Sequence, residues 1–170
     1  MNNEISMGAN VLTLRNSKTY MLAALFIVGN ILLPQLCHLV PNGGHVWLPI
    51  YLFTLVGACC YGLYVGVLTA IASPLVNHLL FGMPGNAALP SILVKSVLLA
   101  VFAAYLFHRK GSKADFWAVL SVVLGYQVLG SLAECMIEGS LVSGFTDFKM
   151  GLPGMALQII VGYLLTLRKS

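Results

Sequence analysis

Four polar residues near the end of one apolar run keep a helical rhythm. Gln127, Ser131, Glu134 and Glu138 follow one another at intervals of four, three and four. That spacing lines them up on one helix face. Another ionisable residue, Lys95, sits inside a separate apolar run. An ammonium and a carboxylate in such surroundings can neutralise each other or hold a polar ligand. Left alone in hydrocarbon, either is expensive. A Lys95–Glu134 pair is therefore expected. His38, His45, Asn77, His78 and Gln158 are further polar side chains at or near the ends of apolar runs. Together with Lys95, Gln127 and Glu134 they form the candidate binding set. His38, His45, His78 and Glu134 are metal-ligand types, but no two histidines stand four apart. Neither a metal nor a cofactor is expected.

Each of these residues has a plainer reading. Lys95 could snorkel to a membrane surface, and Glu134 could serve only as its partner. Asn77 and His78 could cap or line a span end, and His45 could be a solvated loop residue. Asn30, in the middle of the first apolar run, reads as glue between helices. Enzyme motifs are missing: no phosphate-cradling GxxxxGK[ST], HExxH or GxSxG occurs. The chain is not expected to be an enzyme. An intramembrane enzyme using His78 or His38 with Glu134 as acid–base groups is a rival reading without an evident nucleophile. A ligand-free structural or assembly protein is another. Cys37, Cys59, Cys60 and Cys135 form no CxxC pair and read as small buried hydrophobes.

The elements that must position these residues follow from composition. Of 170 residues, 59% are hydrophobic and 8% charged, against about 25% charged in a soluble domain. Lipid tolerates such a surface. At roughly 20 residues per crossing, the length admits about six spans. The first fourteen residues lack a signal peptide's early basic and apolar regions, so the first run is expected to be a retained span. Turn chemistry divides the chain into spans near 20–40, 46–62, 64–81, 90–107, 116–137 and 152–166. The second and third separate at Tyr61-Gly62-Leu63-Tyr64. A polar loop carrying Glu138, Ser143, Asp147 and Lys149 precedes the sixth.

With six spans, one side of the membrane collects Arg15, Lys18, Arg109, Lys110, Lys113, Arg168 and Lys169, and the other Lys149 alone. The basic side is the cytoplasmic one. The expected fold is an all-α integral membrane bundle of six transmembrane helices with both termini in the cytoplasm. Residues 1–19 form a cytoplasmic N-terminal segment, 20–167 the membrane domain and 168–170 a cytoplasmic tail. Trp47 and Trp117 fall at span ends, as interfacial anchors do. The net charge of +4 is read as orientation in a multi-pass cell-membrane protein, not as nucleic-acid binding. Gly62-x-x-x-Gly66, extended to Ala70, reads as close helix packing within the chain.

Counting residues from span ends gives depth. Lys95 falls about five residues, or roughly 8 Å, below the outer surface. His38, Asn77, His78 and Glu134 fall near outer ends, Gln158 a third of the way in, and His45 in the first outer loop. The polar groups thus gather in the outer half, which suggests a cavity opening outward.

The chain resembles the substrate-binding S components of energy-coupling factor (ECF) transporters. The resemblance covers almost its whole length. It rests on size, six short spans and inside termini, and on three turn motifs. These are Pro34 to Trp47 (PQLCHLVPNGGHVW), Tyr61 to Gly66 (YGLYVG), and Ser73-Pro74-Leu75-Val76-Asn77 followed by Gly82-Met83-Pro84. The family's AxxxA docking pattern is replaced by Thr19-x-x-x-Ala23, and Met1-Asn2-Asn3 lacks the histidine of its nickel and cobalt branch. The resemblance implies capture of a vitamin or other micronutrient from outside; the first outer loop around Gly43-Gly44 is expected to act as a lid, because glycines permit backbone rearrangement. Its pocket would fall on His38, His45, Lys95, Gln127, Glu134 and Gln158. It also implies three partners, a transmembrane coupling subunit and two cytoplasmic ATPases.

Overall fold

The computed structural model of the chain describes residues 11–37, 39, 41, 43–108 and 116–169. Among these there is helix and no strand. Helix α1 spans Ser17–Cys37, α2 Gly43–Trp47, α3 Leu52–Tyr61, α4 Leu63–Phe81 and α5 Leu89–His108. Then come α6, Phe116–Glu138, α7, Leu141–Met150, and α8, Leu152–Lys169. A 3-10 turn, Pro49–Tyr51, joins α2 to α3. Four helices, α1, α4, α5 and α6, are long and apolar enough to cross a membrane. Together α7 and α8, bent by 53°, pass as a fifth, broken span, and Pro49–Tyr61 is a shorter apolar stretch. Side chains such as Met21, Leu25, Leu79, Leu132 and Met136 are exposed on the outside. In water such a surface would drive aggregation, whereas lipid makes it neutral.

Two expectations need correction. The second span is not one helix over 46–62. Proline at 49 cannot donate a backbone hydrogen bond, and Leu48 before it takes φ +47°, so the segment breaks into α2, the 3-10 turn and a short α3. The polar stretch before the last span is not a loop but helix α7, because Phe145 and Phe148 give its ten residues an apolar side. His38 lies outside the described residues, as do the side chain of His45, residues 1–10 and residues 109–115.

The α3–α4 break falls where the sequence places it. Gly62 has φ +93°, open to glycine at little steric cost. Gly66 then packs against α3: a Cβ there would lie 2.6 Å from Ala58 Cβ and 3.3 Å from Ala100 Cβ. The small-residue stripe therefore seats α4 on α3 and α5. Helix α5 is central, packing on α3, α4 and α6. Its Leu99, Ala100 and Ala103, with Val119, Val122 and Val123 of α6, are fully buried. Lipid gives little hydrophobic drive to helix association, so this close contact is what holds the helices together.

Two ends of the bundle result. At one, Leu12 N–H bonds Tyr61 O at 3.0 Å and His108 Nε2 meets Ala58 O at 3.0 Å. This tightens the α3–α4 turn against the chain start and the end of α5. The other end gathers the end of α1, α2, the 3-10 turn, the end of α4, the start of α5, the end of α6, and α7.

Candidate functional site

Lys95 lies in the second turn of α5, 3% exposed. Its Nζ donates to Glu134 Oε2 on α6 and to Asp147 Oδ2 on α7, the latter at 2.5 Å. The lysine turns inward rather than snorkelling. Two glycines make this possible. A Cβ on Gly130 would lie 2.3 Å from Lys95 Cγ, so the bare backbone of α6 leaves a channel for the lysine stem. A Cβ on Gly144 would lie 2.5 Å from Ser131 O and from Cys135 Sγ, so α7 lies close against α6 and delivers Asp147. Around the triad, Gln127 Nε2 donates to Asp147 Oδ2 at 3.2 Å. Ser143 Oγ lies 3.3 Å from Glu134 Oε1 and within hydrogen-bonding reach of Glu138 Oε2, so its one proton serves either carboxylate.

The α6 stripe faces inward through Gln127, Ser131 and Glu134, all buried, while Glu138 is exposed. Buried ions this close are tolerated only because they neutralise and hydrogen-bond one another. Satisfaction is incomplete: Gln127 Oε1, Ser131 Oγ and Gln158 Nε2 are buried without a partner among the described residues.

A cavity of about 310 Å³ adjoins the triad. Gln35, Asn77, Ser91, Lys95, Glu134 and Asp147 supply its polar lining. Leu48, Ile50, Met83 and Ile92 are apolar lining, Tyr51 adds a ring and a hydroxyl, and Pro34, Gly44 and Pro84 also line it. Leu48 plugs this end of the bundle from the α8 side: a Cβ on Gly151 would lie 2.9 Å from Leu48 Cδ1, and one on Gly154 2.6 Å from the Trp47 carbonyl. Tyr51 packs its ring 5.6 Å from that of Tyr126, whose hydroxyl donates to Gln158 Oε1 at 2.8 Å.

The candidate set thus divides. Lys95, Glu134 and Asn77 line the cavity. Gln127 stands behind it through Asp147, and Gln158 behind it through Tyr126. His78 does not line the cavity itself: its Nδ1 meets Pro84 O at 2.7 Å and fastens the 82–86 loop, whose Pro84 lines the cavity, to α4. His38 and the His45 side chain fall outside the described residues. Asp147, Gly130 and Tyr51 are the cavity-end residues that reading the sequence missed. The available signal for Asp147 was its position four after Ser143, which puts both on one helical face.

Asn30 anchors a second polar cluster. Its Nδ2 lies 3.1 Å from both Thr54 Oγ1 and Ser73 Oγ, and its Oδ1 accepts from Phe53 N–H at 3.2 Å. Phe53 is in the first turn of α3, where backbone N–H groups lack helical partners, so Asn30 caps that helix from α1. Asn77 Nδ2 donates to the Asn30 carbonyl at 2.9 Å. Among the described residues, no three His, Cys, Asp or Glu cluster as a metal site would require.

No family model, no curated protein and no solved structure matches the chain.

Proposed function

We propose that the chain is the membrane-embedded substrate-binding subunit of an ECF-type importer in the cell membrane. It captures a vitamin or related micronutrient on the extracellular side. In this reading it crosses the bilayer six times, with Pro49–Tyr61 and the bent α7–α8 pair completing the count, and keeps both termini in the cytoplasm. A transmembrane coupling subunit and two ATPases supply the energy that the chain has no motif to harvest.

The observation that carries the reading is the cavity, walled on one side by the Lys95–Glu134–Asp147 triad. Ionisable groups at membrane depth mark binding sites or pathways, and a concave, mostly apolar pocket with a few convergent polar groups is the usual form of a small-molecule site. Orientation supports it too. Arg15 and Lys18 lie at the bundle end opposite the cavity, and the basic end faces the cytoplasm. The cavity would then open outward. Gly44 and Asn77 both line the cavity, so the segment after α1 and the end of α4 meet there, as the importer reading requires.

Affinity purification of the full chain from its own cells tests the proposal. Two ATPase chains and a further membrane subunit should co-purify, and uptake of the bound compound should require ATP. Isolation of the chain alone from gently solubilised membranes, with no ATP-dependent uptake, would overturn it.

A further inference from the structure

We infer that the cavity recognises an uncharged donor–acceptor group on its ligand, an N–H together with a carbonyl, as in a carboxamide, lactam or ureide. This rests on the binding-subunit reading and narrows it to a ligand class. The polar lining divides in two. Ser91 Oγ donates to Ala88 O at 2.9 Å. Lys95 Nζ donates to Glu134 and Asp147, so those three are already joined to one another. Three other lining side chains keep polar atoms with no hydrogen-bond partner among the described residues. They are the Tyr51 hydroxyl, the Asn77 amide oxygen and the Gln35 amide.

Two of these are held firmly in place. Tyr51 is 2% exposed. Its N–H bonds Leu48 O at 3.2 Å, and its ring packs 5.6 Å from that of Tyr126, which Gln158 fixes in turn. Asn77 is also 2% exposed, and its Nδ2 donates to the Asn30 carbonyl at 2.9 Å, which leaves Oδ1 as an acceptor. A buried acceptor is costly until a donor reaches it, and a buried phenol hydroxyl usually finds a partner. An amide-type ligand meets both needs. Its N–H donates to Asn77 Oδ1, and its carbonyl accepts from the Tyr51 hydroxyl. Gln35, half-buried near the end of α1, carries a donor and an acceptor of its own and suits either half of such a group. A site built this way rejects an analogue without the matching group, because its own buried group is then left unpaired. Leu48, Ile50 and Ile92 suit an apolar or flat remainder. At about 310 Å³ the cavity is at the small end of ligand sites.

The test uses the purified full chain, stripped of bound compounds, and two probes of one shape. Benzamide has the carbonyl and the N–H donors; acetophenone keeps the carbonyl and puts a methyl in place of the amino group. Binding is read by calorimetry at neutral pH. Benzamide should bind saturably, at least fivefold tighter than acetophenone. Tyr51→Phe should weaken both probes by a similar factor, roughly fivefold, since both keep the carbonyl. Asn77→Leu should erase the preference for benzamide. That preference is a ratio read within each variant, so a loss of folded protein cancels, and unfolding temperatures are measured alongside. Tyr20→Phe makes the same change at the start of α1, where the side chain is 53% exposed, and should alter neither probe. Equal binding of the two probes by the unaltered chain would overturn the inference, because water would then serve the lining as well as a ligand N–H does. So would benzamide binding indifferent to Tyr51→Phe, a preference that survives Asn77→Leu, or no saturable benzamide binding at all. None of these results touches the importer reading, which fails separately if no ATPase chains co-purify.

Discussion

Two buried polar clusters lie within one bundle, and they differ in kind. Around Asn30, neutral groups from α1, α3 and α4 satisfy one another, and the cluster helps to hold those helices in register. Around Lys95, charged groups from α5, α6 and α7 meet beside a cavity. Asn77 touches both: it donates to the first cluster and lines the cavity of the second. Polarity at membrane depth therefore does not by itself mark a ligand site. What sets the second cluster apart is its charge and the cavity beside it.

The contrast can be broken by substitution, and the largest effect belongs to the charged cluster. Lys95→Met removes the ammonium that Glu134 and Asp147 share. Removing one partner from a buried ion pair costs about 3–5 kcal/mol. Chemical unfolding in detergent should show a loss of that order, together with loss of the bound compound. Asn30→Leu should cost less, about 1–3 kcal/mol for the groups it orphans. It should leave ligand affinity within about threefold, since the Asn77 donor is held by the Asn30 backbone carbonyl, which the substitution keeps. A large affinity loss in Asn30→Leu would merge the two clusters into one functional unit.

Gly130→Ala sharpens the comparison from the packing side. A Cβ there would lie 2.3 Å from Lys95 Cγ, and overpacking of this kind costs about 1–3 kcal/mol. Its affinity loss should exceed that of Gly66→Ala, which crowds Ala58 and Ala100 far from the triad, at comparable stability. The smallest effect belongs to Met136→Ala, on the outer face of α6. Thermal unfolding should move by no more than about 0.5 kcal/mol equivalent, and binding not at all.

Much of the helical layout was legible in the sequence. Glycine at 62 coincides with interfacial tyrosines, and the apolar runs of α4, α5 and α6 end at Gly82, His108 and Gly139. The Lys95–Glu134 pairing followed from counting depth along two neighbouring spans, because helical rise converts residue number into position. Asp147 was hidden for a physical reason. A ten-residue amphipathic segment with Asp and Lys carries the composition of a loop, and only its packing through Gly144 turns it toward Lys95. Leu48 was equally opaque, since positive φ is rare for leucine and is imposed here by the turn into Pro49. Gly130 offered no pattern at all, because its meaning lies in a side chain 35 positions earlier in the chain.

The most direct measurement of the central claim is mass spectrometry of the small molecule retained by the full chain, purified in parallel as wild type, Asn30→Leu and Glu134→Gln. The triad cavity as binding site predicts one compound at near-equal molar ratio in wild type and Asn30→Leu, and its loss from Glu134→Gln. Retention by all three proteins alike, or by none, would contradict it.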